Sequence, residues 1–293
     1  MRILAALLGA LLILAGLPVR ADDLKVSVGS GALVGLASRD GRVRSFKGIP
    51  YAAPPVGALR WQPPQEVARW EGTREATRFG PVCPQPGSPP GSFYQREFFA
   101  ASEPQSEDCL YLNIWTAASG SDRLPVMVFL HGGAYFGWSG SMAAYDGTYL
   151  ARKGVVVVTI NYRLGPFGFL AHPDLDAESP QHLSGNYGLL DQQAALRWVK
   201  ANSAAFGGDP ERITLFGHSA GAGSVGYAMA SPLAKGLFRR AIVMSGSLFG
   251  TAGPTPDLDF AEQGGQKLAT ELGAPSIAAL RDMPTSRIMA HIG

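Results

Sequence analysis

Apolar positions change period along this chain, and the changes mark its elements. Residues 24–28, 32–37 and 42–46 alternate polar and apolar, with Arg39-Asp40-Gly41 as a turn, which predicts a small antiparallel meander. Residues 47–57 and Arg60-Trp61 are broken up by Pro50, Pro54 and Pro55 and predict an irregular wrap over the surface. Alternation returns over 110–116, a further strand. From Pro125 the pattern changes to a continuous apolar run at 126–130 and mostly apolar runs at 155–160, 213–216 and 241–244, the signature of strands buried on both faces. Between them lie helical stretches at 145–153 and 188–204, the second carrying Leu189, Leu190, Ala194, Leu196, Trp198 and Val199 and stopped by Phe206-Gly-Gly-Asp-Pro210. Buried strands alternating with helices predict an α/β fold with a mostly parallel, doubly wound sheet. Helical pieces follow at 259–272 and 277–283.

The first residues stand apart. Met1-Arg2, an apolar run over 3–17 and Pro18-Val-Arg-Ala21 predict a secretory signal peptide over 1–21, cleaved before Asp22. The run is short for a membrane span, so the mature part, 22–293, is expected to carry none and to be secreted or periplasmic. Hydrophobic residues make up 46% of the chain, ample for a core, and a net charge of +2 argues against nucleic acid as a partner. In an exported protein the two cysteines, Cys83 and Cys109, read as a disulfide closing a loop rich in Pro, Gly and Ser. No His or Cys neighbours suggest a zinc site, and neither metal nor cofactor is expected.

The candidate chemistry lies at Ile213-Thr-Leu-Phe-Gly-His-Ser-Ala-Gly-Ala222. An apolar strand runs into Gly217, and a small-residue helix extends from Gly221 to about Met229. This G-x-S-x-G spacing is that of a nucleophile elbow, in which a serine on a tight strand-to-helix turn exposes its Oγ and the glycines leave room for the backbone. The helix N-terminus directs N–H groups at charge developing beside Ser219. Alone the motif is weak, since Ser219 could equally be a helix N-cap. The strand before it, the helix after it and the upstream His131-Gly132-Gly133-Ala134 are what an α/β-hydrolase requires.

Four further stretches resemble the type-B carboxylesterase and lipase family, which includes the cholinesterases. They are Phe46-Lys-Gly-Ile-Pro-Tyr-Ala-Ala-Pro-Pro-Val-Gly57, Ser106-Glu-Asp-Cys-Leu-Tyr-Leu-Asn-Ile-Trp115, Asn161-Tyr-Arg-Leu-Gly-Pro-Phe-Gly-Phe-Leu170 and Gly185-Asn-Tyr-Gly-Leu-Leu-Asp-Gln192. The resemblance covers nearly all of the mature chain and implies a carboxylic-ester hydrolase acting on small-molecule esters through an acyl-Ser219 intermediate. It also implies backbone oxyanion donors at Gly133, Ala134 and Ala220. Cys83 and Cys109 match a disulfide of the family, and Arg60 with Glu107 and Arg163 with Asp191 resemble its two buried, structural ion pairs.

Two features depart from the family. Its residue before the nucleophile is usually Glu; here it is His218, expected to line the cleft, with Ser245 at the position that supports that Glu. The second departure is length. The hydrolase triad runs Ser, then Asp or Glu, then His, and only 74 residues follow Ser219. Glu271 or Asp282 with His291 satisfies that order formally, but His291 sits in a helix-like run near the end. The chain is therefore expected to hold the fold only as far as the nucleophile half, with the acid and base of the triad missing and a C-terminal half to be supplied. A fragment or a frameshifted frame is the leading explanation. A non-catalytic, cholinesterase-like binding module is the alternative, and a serine peptidase on the same fold a weaker one.

Overall fold

The computed structural model describes residues 24–87, 91–97, 103–119, 122–182, 184–247 and 257–292. The expected signal peptide at 1–21 lies outside them, as do 88–90 and 98–102 of the disulfide loop. In chain order the elements are β1 (Lys25–Val28), β2 (Gly31–Val34), β3 (Leu36–Ala37), β4 (Arg44–Pro50), β5 (Thr73–Glu75), α1 (Phe93–Glu97), β6 (Tyr111–Thr116), β7 (Leu124–Leu130), α2 (Thr148–Ala151) and β8 (Val156–Ile160). Then come α3 (Gly165–Phe169), α4 (Pro173–Glu178), α5 (Tyr187–Asn202), β9 (Gly208–His218), α6 (Ala220–Ala230), β10 (Arg240–Met244), α7 (Leu258–Glu271), α8 (Ile277–Arg281) and α9 (Thr285–Ile292).

Seven strands form the main sheet in the order β10-β9-β7-β8-β6-β4-β3. Strands β10, β9, β7 and β8 run parallel, and β6, β4 and β3 extend the sheet antiparallel. The register sets Leu130, at the end of β7, opposite Gly217 near the end of β9. The loop after β7 and the turn after β9 thus leave the sheet side by side at the carboxyl ends of its strands, where open α/β sheets place their ligands. Val126, Val128, Leu130, Val156, Val158, Ile160, Ile213 and Leu215 are fully buried and join Leu196 and Val199 of α5 and Val225 of α6 in the main core.

Several expectations need correction. The segments at 24–28, 32–37 and 42–46 do not form one meander. The second breaks at Gly35: β2 pairs with β1, and β3 pairs with β4 in the main sheet. Strand β2 also pairs, in parallel, with β5, whose Thr-Arg-Glu sequence is wholly exposed and so carried no apolar signal. The wrap expected from residue 47 begins later, because a register shift between Phe46 and Ile49 lets β4 run on to Pro50. Helix α2 is shorter than the stretch expected at 145–153. Helices α3 and α4 were not anticipated, although each has a proline in its first turn.

A second core joins the ends of the fold. Trp61, Phe167, Leu170, Leu175 and Tyr187 pack against Ala269, Leu272, Ile277, Leu280, Met283 and Ile288 of the C-terminal helices and their links. Arg60 lies at its centre. Its guanidinium donates to both Glu107 oxygens, at 2.7 and 2.5 Å, and to the carbonyls of Leu280, Arg281 and Met283 at 3.2, 2.8 and 2.7 Å. One cation thus neutralises Glu107 and caps the carboxyl end of α8. Arg163 donates to Asp191 from Nε and Nη2, each at 2.8 Å, and from its backbone N–H at 3.0 Å. Cys83 and Cys109 are joined in a disulfide. Among the described residues no helix is long and apolar enough to cross a membrane.

Candidate active site

Strand β9 ends at His218 and α6 begins at Ala220, so Ser219 alone makes the turn. It does so at φ 56°, ψ −121°, a conformation that costs a non-glycine residue about 1–3 kcal/mol and persists only where its surroundings impose it. Those surroundings are explicit. The Ser219 N–H donates to the Met244 carbonyl at the end of β10 at 3.0 Å, and the Ser219 carbonyl accepts from Gly223 at 3.1 Å. A Cβ on Gly217 would collide with the carbonyl of Gly221, and one on Gly221 with the carbonyls of Leu130 and His131. The spacing of the two glycines is therefore a steric requirement: the helix passes against the strand end and against β7 with no room for a methyl group.

The loop leaving β7 faces this turn. A Cβ on Gly132 would stand 3.1 Å from the Ser219 Cβ. Gly133, Ala134 and Tyr135 follow with φ of 99°, 54° and 62°, and Trp138 has φ 74°. Three successive positive-φ residues fold this loop back tightly next to the serine turn. The Gly133 carbonyl accepts from Phe136 and Gly137, at 2.9 and 3.0 Å, and closes the turn. Among the described residues the N–H groups of Gly133 and Ala134 donate to no backbone carbonyl. That of Ala220, in the first turn of α6, has no partner within its helix.

His131 is locked in place. It is buried, stacks on Tyr162 at 4.3 Å between ring centroids, and accepts the Tyr162 hydroxyl on its carbonyl at 2.7 Å. Its Nδ1 lies 2.8 Å from the Gly132 carbonyl, an acceptor only, so Nδ1 carries the proton. Burial pushes the imidazole down to about 4, against the pull of that hydrogen bond. Between the ordinary value of 6.5 and about 4, the unfolded chain binds a proton that the folded chain does not. Stability is thus expected to be greatest above that window and to fall with pH through it, by roughly 3 kcal/mol in all. Urea midpoints at about pH 7.5 and about pH 4.5 test this, and His131→Phe should flatten the difference.

His218 is half-buried on the same turn, its ring parallel to Trp138 with centroids 6.3 Å apart. It lines a cavity of about 340 Å³ with Phe129, Tyr145, Phe216 and Met244. Ser245, with φ 51°, follows β10 and is exposed; no hydrogen bond links it to His218 among the described residues. Glu271 and His291 meet each other, Oε2 to Nε2 at 2.8 Å, on the exposed side of α7 and α9. The His291 hydrogen bond holds the Glu271 carboxyl below its usual range. Neither residue, nor Asp282 at the end of α8, hydrogen-bonds Ser219 among the described residues. The structure thus brings together Ser219, His218, the 132–134 turn and Ala220, and leaves the formal acid and histidine paired elsewhere. Sequence reasoning missed Trp138 and Tyr162, which pack against this region; Trp138 follows the His131-Gly-Gly stretch closely, whereas Tyr162 lies 31 residues on and gave no local signal.

A strained serine between a parallel strand and a helix, facing a left-handed glycine turn at the carboxyl edge of the sheet, defines an α/β-hydrolase. The model of the Carboxylesterase family matches residues 22–291, and the chain belongs to that family. It is 48% identical over 263 residues to the fumonisin B1 esterase of Sphingopyxis macrogoltabida, covering 88% of this chain and 46% of that protein. It is 48% identical over 206 residues to the para-nitrobenzyl esterase of Bacillus subtilis (strain 168), covering 70% of this chain and 40% of that protein. Among solved structures, the carboxylesterase of Geobacillus stearothermophilus superposes with a TM-score of 0.80 at 43% identity, covering 91% of this chain and 52% of that one. The chain spans less than half the length of these two curated relatives.

Proposed function

We propose that this chain is the nucleophile-bearing part of an exported serine hydrolase of small carboxylic esters. The observation that carries the reading is Ser219, held at φ 56° beside the 132–134 turn. In this reading Ser219 Oγ adds to the ester carbonyl, and the oxyanion is received by the N–H groups of Gly133, Ala134 and Ala220. Collapse of the adduct expels the alcohol, and water then hydrolyses the acyl-serine. A hydroxyl attacks well only when a base takes its proton. The Glu271–His291 pair, bonded to itself on an exposed face, supports assigning the triad's acid and base to residues outside this chain. His218 then serves as a wall of the cleft. Residues 1–21 act as the export signal for a mature chain of 22–293, in keeping with the disulfide.

The test is hydrolysis of a p-nitrophenyl ester by the purified chain beside Ser219→Ala, His218→Ala and His291→Ala. Weak turnover, at most ~10³–10⁴ over water and lost in Ser219→Ala, is expected. Turnover at ordinary enzyme rates that vanishes in His291→Ala or His218→Ala would identify that histidine as the base and overturn the assignment made here. Turnover unaffected by Ser219→Ala would remove the nucleophile.

A further inference from the structure

The loop from Gly133 to Trp138 holds non-glycine residues at positive φ at Ala134, Tyr135 and Trp138, and its internal backbone bonds close its first half, at the Gly133 carbonyl. In the middle, the Tyr135 carbonyl accepts from Gly165 at 2.7 Å. At the far end the side chain of Gln85 grips the Trp138 backbone from outside. Its Oε1 accepts from the Trp138 N–H at 2.7 Å, and its Nε2 donates to the Trp138 carbonyl at 3.1 Å. The same Nε2 donates to the Cys83 carbonyl at 3.0 Å, and the Gln85 N–H donates to Gln105 Oε1 at 2.9 Å. Gln85 thus offers the Trp138 peptide the donor and acceptor that a neighbouring strand would offer, and is itself fixed within the disulfide loop.

We propose that Gln85 is a positioning residue for the active site. It sets the end of the oxyanion turn and the Trp138 ring that faces His218, and so ties the geometry of both to the loop closed by Cys83 and Cys109. The catalytic half of this inference rests on the ester-hydrolase reading; the positioning half does not. The chemistry of the side chain is specific. Glutamate keeps the acceptor for the Trp138 N–H but sets a carboxylate against the Trp138 carbonyl. Leucine fills similar space with neither partner. Asparagine is one methylene short. A residue at φ 74° whose N–H and carbonyl both lose these hydrogen bonds is held less firmly in that conformation. Ala134 and Gly133, the oxyanion donors of the ester-hydrolase reading, lie four and five residues before Trp138 in the same loop.

The experiment compares Q85L and Q85E with the unsubstituted protein by hydrogen exchange and by p-nitrophenyl ester turnover. In Q85L the amides of 132–138 should exchange about tenfold faster, with α5 and β9 as protected as before. Q85E should fall between, because it keeps the acceptor for the Trp138 N–H. Turnover should follow the same order, kcat falling about tenfold in Q85L with KM within about twofold, since an oxyanion turn acts in the transition state. Unchanged exchange over 132–138 would overturn the proposal. So would protection lost equally in α5 and β9, which would make Gln85 a general stability residue. Loosened exchange with unchanged kcat would refute its catalytic half. Absence of any Ser219-dependent turnover in the unsubstituted chain would count against the hydrolase reading instead, and the exchange data would still decide whether Gln85 holds the turn.

Discussion

Asp191→Ala is expected to destabilise the fold by about 3–5 kcal/mol, the cost of breaking a buried ion pair. Asp191 is fully buried, and the Arg163 side chain is 3% exposed. Removal of the carboxylate strands the guanidinium and the Arg163 backbone N–H, both of which bond to it. Neither can turn to water without opening the contact between α5 and the segment after β8. Against a total stability of ~5–15 kcal/mol for an ordinary domain, this loss is enough to leave much of the protein unfolded at moderate temperature. Urea unfolding should show a lower midpoint at unchanged slope. The double variant Arg163→Met, Asp191→Leu should recover most of the loss, because the penalty comes from the unpaired charge and not from the absence of the pair. A loss below ~1 kcal/mol in Asp191→Ala would mean that Arg163 is hydrated in the folded state.

Gly133→Ala should have the largest effect on turnover short of removing the nucleophile. At φ 99° a Cβ is strained, and it would run into the carbonyl of Gly137, part of the same turn. The turn can accept the methyl only by opening, which displaces the N–H groups of 133 and 134, the oxyanion donors proposed above. Loss of one oxyanion donor costs about 10²–10³ in kcat, and under the proposed assignment this change disturbs two. The cost in stability should stay near 1–3 kcal/mol, since the turn lies outside the packed core. Ester hydrolysis relative to the unsubstituted chain, with thermal unfolding alongside, separates the two effects. Full kcat in a folded Gly133→Ala would show that this turn does not receive the oxyanion.

The parts of the fold that were legible are those whose local chemistry points one way. Strands β7, β8 and the end of β9 are predominantly apolar because they lie in the interior of the sheet, with most of their residues buried. The elbow was legible because two glycines and a serine at that spacing leave few other structures. Less local features were hidden. Strand β5 is polar and exposed, so its pairing with β2 has no counterpart in its own residues. The division of the first strands between two sheets depends on partners up to about 70 residues away. In the site, Ser219 and the 132–134 turn could be named from the chain. The stack of His131 on Tyr162, the parallel rings of Trp138 and His218 and the grip of Gln85 on Trp138 could not, because each joins segments that meet only once the sheet has formed. The ion pairs were suggested by resemblance alone; the second task of Arg60, capping α8, was not.

That second task bears on how the molecule assembles. Arg60 reaches carbonyls 220 to 223 residues along the chain, and closing so long a loop is slow compared with forming neighbouring strand–helix units. Until it closes, α8 has uncapped carbonyls and Arg60 has a partner only in Glu107. Docking of the C-terminal helices is thus a late event in folding, and one that closes the chain into a ring around the Arg60 peptide and side chain. The Arg281 guanidinium answers it from the other side, donating to the Arg60 carbonyl at 3.0 Å, so the early and late parts of the chain share a common point of failure: loosening at Arg60 releases the N-terminal wrap and the C-terminal helices together.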